Sequence, residues 1–201
     1  MQTMFADPLK FNPENHTYEV GGTVYPSVTQ CLRSVGLIDF SGIDQLILER
    51  AAGVGRAVHE ASHYYDEGEL DFIDLDPYLV GYVTAWQKFR EQNPAVFDQI
   101  EVPLCSTTYG FAGCPDRVAT IDGKPAIIEI KTSSVVPAWG KIQTAAYAIL
   151  ADVPAARRII VHLKSNGSYS IIECKGRRDR EVFLACLAVH QWRVKYGTHS
   201  L

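Results

Sequence analysis

The sequence predicts an α/β fold in which a mixed β-sheet is flanked by helices. Apolar residues recur with a period of two in the middle of the chain and with helical spacing on both sides of it. Asp122-Gly123 joins two of the strand-like segments, as a two-residue hairpin turn does. With 47% apolar and 21% charged residues, the 201-residue chain has an ordinary globular composition, which excludes a disordered or collagen-like chain.

A small hairpin and a short helix are predicted at the start of the chain. Residues 16–20 and 23–25 flank Gly21-Gly22 and have the pattern of two antiparallel strands. Ser27 then caps a short helix that ends near Val35.

Two longer helices follow. The first is predicted over residues 43–65, beginning after Ser41 and ending near Gly68. The second has Asp76-Pro77 as its N-cap and first helical residue, and it ends at Gln92 before a proline.

The second half of the chain is predicted to contain most of the sheet. In order, the predicted elements are strands at 99–106, 110–121 and 126–132, a helix at 137–151, a hairpin of 158–164 and 169–174 around Asn166-Gly167, and a helix at 178–196. Because no linker or low-complexity tract divides the sequence, residues 1–201 are interpreted as one domain. Residues 1–40 hold the hairpin and short helix, and residues 41–201 hold the core.

Charge is distributed unevenly along the chain. The net charge of −4 by itself argues against a polyanionic partner. Residues 1–101, however, contain 16 acidic and 6 basic residues, a net charge of −10, and residues 102–201 contain 7 acidic and 13 basic residues, a net charge of +6. The mean over the whole chain is therefore a poor guide to its partners.

The cysteines and the apolar runs indicate a cytoplasmic protein. None of the five cysteines belongs to a CxxC pair or lies at zinc-finger spacing from a histidine, so reduced thiols are expected. The longest uncharged apolar run, residues 182–189, is far shorter than the roughly 20 residues that span a bilayer. The first 16 residues match neither a secretory signal nor a transit peptide.

The central hairpin brings two carboxylates together. If Asp122-Gly123 forms the turn, the pairing of the two strands is fixed and Asp116 falls opposite Glu129. This pair is of the non-hydrogen-bonded kind, in which the Cα atoms are about 4.5 Å apart. Lys131 follows on the same face of the second strand.

Like charges that face each other destabilise a sheet, so the Asp116–Glu129 pair favours a divalent cation between the carboxylates. A Glu-x-Lys triplet alone is common on a solvated strand, but the isoleucines of residues 127–130 indicate that Glu129 lies in a buried one. As metal ligands, two carboxylates and a histidine imidazole such as that of His59 suit Mn²⁺ well and Mg²⁺ acceptably, and the lack of nearby thiolates argues against zinc.

Four short motifs occur in order: Gly55-x-x-x-His59, Gly113-x-Pro115-Asp116, Glu129-Ile130-Lys131-Thr132 and Gln143-x-x-x-Tyr147. Together they resemble the signature of the PD-(D/E)XK nucleases, and in particular of their RecB-like exonuclease branch. That branch includes CRISPR-associated RecB-type exonucleases, the mitochondrial genome maintenance exonuclease and many phage nucleases. The resemblance implies a restriction-endonuclease-like core with the element order αβββαβ.

The resemblance also implies roles for individual residues. The metal ligands would be His59, Asp116, Glu129 and the carbonyl oxygen of Ile130. The catalytic set would be Asp116, Glu129, Lys131, Gln143 and Tyr147. Within it, Lys131 would orient or activate the attacking water and offset charge at the phosphate. Gln143 and Tyr147, four residues apart on one helix face, would position the substrate or Lys131.

Four further residues are candidates for supporting roles. Glu101 matches an acidic position of the branch, where it either binds a second metal ion or pairs with a base. Arg56, Arg117 and Lys141 are candidate DNA contacts, although a run of cations is usually a solvated face.

The expected activity is that of a metal-dependent DNA exonuclease using Mg²⁺ or Mn²⁺. The alternatives are a structure-specific or nicking endonuclease of the same fold, an inactive DNA-binding module, and a hydrolase of another substrate. The sequence has no GxxxxGK[ST] motif, so no nucleotide cofactor is expected, and Cys174 and Cys186 lack a third partner for an iron–sulfur cluster. Expected partners are linear DNA ends or single-stranded segments, together with recombination or replication proteins, in the cytoplasm of a bacterium or a phage-infected cell.

Overall fold

The computed structural model describes residues 7–197; residues 1–6 and 198–201 of the predicted domain lie outside this range. The helices are α1 (Val28–Ser34), α2 (Gln45–Glu67), α3 (Val80–Gln92), α4 (Trp139–Leu150) and α5 (Asp179–Tyr196). The strands are β1 (Lys10–Asn12), β2 (Thr17–Val20), β3 (Thr23–Tyr25), β4 (Ala95–Ile100), β5 (Leu104–Ser106), β6 (Phe111–Gly113), β7 (Arg117–Ile121), β8 (Lys124–Lys131), β9 (Arg157–Leu163) and β10 (Tyr169–Glu173). Between residues 7 and 197, no helix is both long and apolar enough to span a membrane.

The main sheet contains five strands in the order β10-β9-β8-β7-β4. Neighbouring strands are antiparallel except β8 and β9, which run parallel. A parallel pair needs a crossover connection, and α4 provides it on one face of the sheet. The predicted mixed sheet flanked by helices is therefore confirmed.

Side chains of β8 alternate between two apolar cores. Ile127 packs in the core that α1, α4 and α5 complete. Ile128 packs in the other core, which contains Trp86 of α3. Because successive side chains of a strand point to opposite faces, Glu129 and Lys131 share the α4 face with Ile127. The two charged residues lie at the carboxyl end of β8.

The N-terminal elements follow the prediction with two differences. β2 and β3 pair around Gly21-Gly22, both with positive φ angles, and β1 adds a third strand that the sequence analysis did not predict. Ser27 caps α1 in a capping box. The long helix begins after Asp44 rather than Ser41, because the Asp44 carboxylate accepts two of the first backbone N–H bonds.

Two predicted strands are each divided in the structure. The strand expected at 99–106 becomes β4 and β5, because the backbone of Glu101 is left-handed with φ 49°. The strand expected at 110–121 becomes β6 and β7, since Pro115 has no N–H to donate to a strand ladder. Both breaks lie beside Asp116, which is therefore free of the regular ladder.

The start of α3 also differs from the prediction. Oδ1 of Asp76 accepts the N–H of Tyr78 at 2.9 Å, but this bond caps only a turn, and α3 begins at Val80 instead of Pro77. Its predicted end at Gln92 is confirmed.

Candidate metal centre

The β7–β8 hairpin has the register that the sequence predicts. Its pairs run from Ile121 with Lys124 to Arg117 with Ile128, around a turn in which Asp122 has φ 50° and its glycine neighbour φ 72°. Asp116 lies one residue beyond the last pair, at the level of Glu129.

The Asp116 carboxylate is fixed to β8. Its Oδ2 accepts the backbone N–H of Ile130 at 2.6 Å, and the residue is 7% exposed. The Asp116 carbonyl accepts the N–H of Glu101 at 3.0 Å, which holds the left-handed residue beside it. The broken strands thus bring two carboxylates from separate segments to one place.

Glu129 and Lys131 form an incomplete pair. Lys131 Nζ donates to Glu129 Oε1 at 2.7 Å, and it lies 5.1 Å from the centroid of the Trp139 ring. Glu129 is 2% exposed, and its Oε2 is buried with no hydrogen-bond partner in residues 7–197. A buried carboxylate oxygen without a partner is costly, so it indicates room for a ligand.

His59 of α2 completes the centre. Its Nδ1 lies 3.3 Å from Glu101 Oε1 and 3.3 Å from Asp116 Oδ1. One donor atom each from His59, Glu101 and Asp116 can be chosen so that all lie within 4.8 Å of one another. An imidazole and two carboxylates in this arrangement can hold a divalent cation.

This group differs in one member from the predicted ligand set. Glu101, predicted as a supporting or second-metal residue, lies in it, whereas Glu129 does not. The ligand role of the Ile130 carbonyl stays a prediction; the structure shows that the N–H of the same residue binds Asp116.

The carboxylates and His59 shift one another's pKa values. Burial lowers the pKa of His59, but Asp116 and then Glu101 outweigh it and raise that pKa to about 10. Burial raises the pKa of Asp116, but His59 and Lys131 oppose it and hold that pKa below its usual range. Burial and then Asp116 raise the pKa of Glu129 to about 7, against the effect of Lys131. Added positive charge would favour the ionised form of both carboxylates.

His63 is a residue of the centre that the sequence analysis missed. It lies one helical turn after His59, with its Nδ1 3.3 Å from Glu101 Oε2 and its Nε2 3.1 Å from Glu67 Oε1. The His-x-x-x-His spacing on a predicted helix was the available signal, because residues four apart share a helix face.

Gln143 and Tyr147 lie on the face of α4 that packs near the carboxylates. Gln143 Nε2 donates to the Tyr147 hydroxyl at 2.9 Å, and both side chains are buried. Burial and then Glu129 and Asp116 raise the pKa of Tyr147. No hydrogen bond joins either residue to Lys131 in the described part of the chain, so their catalytic role stays a prediction.

The three predicted DNA contacts have different environments. Arg56 is exposed and lines a cleft of about 590 Å³ that opens onto His59, Glu101 and Asp116. Lys141 is exposed on the first turn of α4.

The prediction that Arg117 contacts DNA is wrong. The residue is fully buried, and its guanidinium binds Asp66 at 2.8 Å and the hydroxyl of Ser62 at 3.1 Å. Its side chain leaves β7 on the face of α2 and α3, opposite to the face that Asp116 shares with Glu129.

Comparisons with known proteins add little to this site. No protein-family model and no curated protein matches the chain. A solved structure described as "Crystal structure of SSO0001" is 19% identical over 70% of this chain and 74% of its own, with a TM-score of 0.40. A similarity of this strength carries no argument about the chain.

Proposed function

We propose that this protein is a metal-dependent deoxyribonuclease, and that it acts on DNA ends as an exonuclease. The observation that carries the proposal is the group of Asp116, Glu129 and Lys131, in which Glu129 Oε2 has no hydrogen-bond partner within residues 7–197 and His59 lies 3.3 Å from Asp116. A buried carboxylate oxygen without a partner is unfavourable in a purely structural ion pair, whereas a metal ligand is expected to keep such an oxygen. The motif resemblance supplies the reaction class.

The residues present fit a hard divalent cation. The donor set consists of one imidazole and two carboxylates, and an additional buried carboxylate oxygen is available on Glu129. Such nitrogen and oxygen ligands suit Mn²⁺ and Mg²⁺. When bound, the ion would supply Lewis-acid stabilisation of the phosphate and lower the pKa of a coordinated water.

The chain's own groups have distinct tasks in this proposal. Asp116 is held at a fixed angle by the Ile130 N–H, so it is a preorganised ligand. Lys131 keeps its ammonium at the site through Glu129, where it can donate to a non-bridging phosphate oxygen or orient the attacking water. Tyr147 and Gln143 pack behind the carboxylates and limit their movement.

The order of the elements agrees with the proposed core. Helices α2 and α3 are followed by the antiparallel strands β4, β7 and β8 of the main sheet, with β5 and β6 between β4 and β7, and then by α4 and by β9 parallel to β8. This is the αβββαβ order of a restriction-endonuclease-like core, to which we assign residues 41–201 as part of the proposal. The proposed place of action is the cytoplasm.

The test compares labelled linear DNA with a closed circle of the same sequence in Mg²⁺ or Mn²⁺. We expect the linear DNA to be degraded from its ends, the circle to persist, and chelation to stop the reaction. Asp116→Asn should abolish hydrolysis, since the amide keeps the size of the carboxylate but loses its charge. Glu91→Gln, at an exposed acid of α3, is the matched control and should retain full activity.

The other outcomes are also informative. Cutting of the closed circle would favour a structure-specific or nicking endonuclease. DNA binding without metal-dependent cleavage would favour an inactive binding module. Absence of both would overturn the proposal.

A further inference from the structure

A second cleft, of about 490 Å³, lies on the other side of α4 from the carboxylates. Ala145 and Ala148 line its floor, whereas Tyr147 occupies the helix face near the metal centre. At its edge, Arg157 pairs with Ala126, five positions before the end of β8. At the rise of a strand, those five positions correspond to about 16 Å.

Cations converge on this cleft. Those that line it are Arg157, Arg158, Lys175, Arg177 and Arg180. The first two are neutralised by carboxylates: Arg157 binds Glu173 at 2.5 Å and Arg158 binds Asp179 at 3.0 Å.

The remaining three cations are not neutralised. Lys175, Arg177 and Arg180 are exposed, and none of them forms an ion pair within residues 7–197. Within residues 7–197, the one hydrogen bond that Arg180 donates is to the phenol oxygen of Tyr109. Three uncompensated positive charges beside an apolar floor form a site for an anionic ligand that also has an apolar part.

The cleft at the metal centre has more acidic than basic residues in its lining. Its cleft is lined by Glu60, Glu101 and Asp116, and the one Lys or Arg among the described lining residues is Arg56. A nucleic acid is held chiefly through its phosphates, by several cations along the strand. Cations away from the carboxylates are therefore required if a strand is to be retained.

We infer that the cleft beside Lys175, Arg177 and Arg180 binds the phosphates of the nucleic-acid strand whose scissile bond lies at the metal centre. This inference rests on the proposed function. Because Arg157 pairs with Ala126, three positions before Glu129 on β8, a small substrate held at the metal centre does not extend to the cleft. Sugars and bases supply the apolar part that the alanine floor accommodates.

The test uses two double variants of the full chain. The cleft variant is Lys175→Glu/Arg177→Glu. The control variant, Lys124→Glu/Lys195→Glu, changes the charge by the same amount at exposed sites outside the cleft. Binding of a labelled single strand of about 20 nucleotides is followed by fluorescence anisotropy in chelator over a range of salt concentrations. Hydrolysis of bis(p-nitrophenyl) phosphate, which carries no strand, is measured with Mn²⁺.

We expect the cleft variant to bind the strand at least about tenfold more weakly than the parent. The slope of the logarithm of affinity against the logarithm of salt concentration should decrease in magnitude by about 1.4, since each phosphate contact on a single strand contributes about 0.7. Its hydrolysis of the small ester should stay within about twofold of the parent. The control variant should bind nearly as the parent does.

Three results decide against or between the proposals. Equal loss of binding in both double variants would overturn the inference, because general charge would then explain the effect. Unchanged DNA affinity, with loss of binding to an aspartate-rich peptide instead, would overturn it in favour of a protein partner. If the parent hydrolyses neither substrate but only the cleft variant loses DNA affinity, the proposed function fails, and the part of the inference that stands is the binding of nucleic-acid phosphates at the cleft.

Discussion

Two buried charge clusters lie on opposite faces of the same hairpin and differ in how completely they are satisfied. On the α2 face, Asp66 accepts hydrogen bonds from Arg117 and Trp86 and forms an ion pair with Arg90, and both of its oxygens are used. On the α4 face, Glu129 has one oxygen bound by a lysine and one with no partner in residues 7–197.

This difference indicates that one cluster supports the fold and that the other can bind a ligand. The Arg117 guanidinium donates to Asp66, Ser62 and the Asp116 carbonyl, and it lies 3.8 Å from Glu101 Oε1. We therefore interpret this network, the closed cluster, as a support for the hairpin. In the cluster around Glu129, called the open cluster below, one buried carboxylate oxygen has no partner within residues 7–197 and can bind a cation. Asp116 and Arg117, the first residue of β7, are adjacent in the chain but have different roles because their side chains leave opposite faces.

The largest effect is expected from breaking the closed cluster. Arg117→Met leaves the Asp66 carboxylate buried without its main partner, and removing one member of a buried pair costs about 3–5 kcal/mol. The free energy of unfolding in urea measures this loss.

A matched double variant sharpens the result. Asp66→Leu/Arg117→Met removes both charges and should recover part of the lost stability, since no uncompensated charge remains. A single variant as stable as the parent would contradict the structural interpretation of this cluster.

The open cluster should behave in the opposite way. Glu129→Gln keeps an oxygen that can accept from Lys131 and removes a charge that burial and Asp116 disfavour, so the free energy of unfolding should fall by less than the loss expected for Arg117→Met. Activity should fall at least about a hundredfold, because loss of even an indirect metal support costs ten- to a hundredfold. Urea unfolding and nuclease rates on the same preparation check both parts. A variant that loses stability and keeps activity would show the cluster to be structural.

The sequence predicted most of the hairpin and only part of the site. The Asp122-Gly123 turn defines the register locally, so the proximity of Asp116 and Glu129 could be derived by counting. The place of Glu101 depends on a left-handed backbone and a hydrogen bond to the Asp116 carbonyl, which no periodicity reveals.

The burial of the Arg117 side chain was not predicted, for a related reason. A charged residue of a strand goes to whichever face its parity dictates, and Arg117 finds Asp66 on a helix 51 residues earlier in the chain. In the sequence, Lys175, Arg177 and Arg180 form only a basic run. Their position beside α4 depends on the crossover between β8 and β9.

A pH series tests the metal centre through the proton that His59 holds. The pKa of His59, about 10 without metal, means that the imidazole is protonated at neutral pH and must release a proton to become a ligand. Apparent Mg²⁺ or Mn²⁺ affinity should therefore rise about tenfold per unit between about pH 7 and pH 9. Calorimetry in buffers of different ionisation enthalpy should show about one proton released. His59→Gln should remove this dependence, and pH-independent binding by the parent would contradict the ligand assignment.

The smallest effect concerns the exposed cation at the open cluster. Arg56 lines the metal cleft and forms no ion pair within residues 7–197, in contrast to the fully bound Arg117. Arg56→Ala should weaken DNA binding a few-fold and lower the salt slope by about 0.7, as expected for one lost phosphate contact on a single strand. Unfolding free energy should stay unchanged, because an exposed side chain contributes little to it. Arg50→Ala, an exposed arginine of the same helix outside the cleft, is the control. If both variants weaken DNA binding equally, position in the cleft does not matter and only the total charge of α2 does.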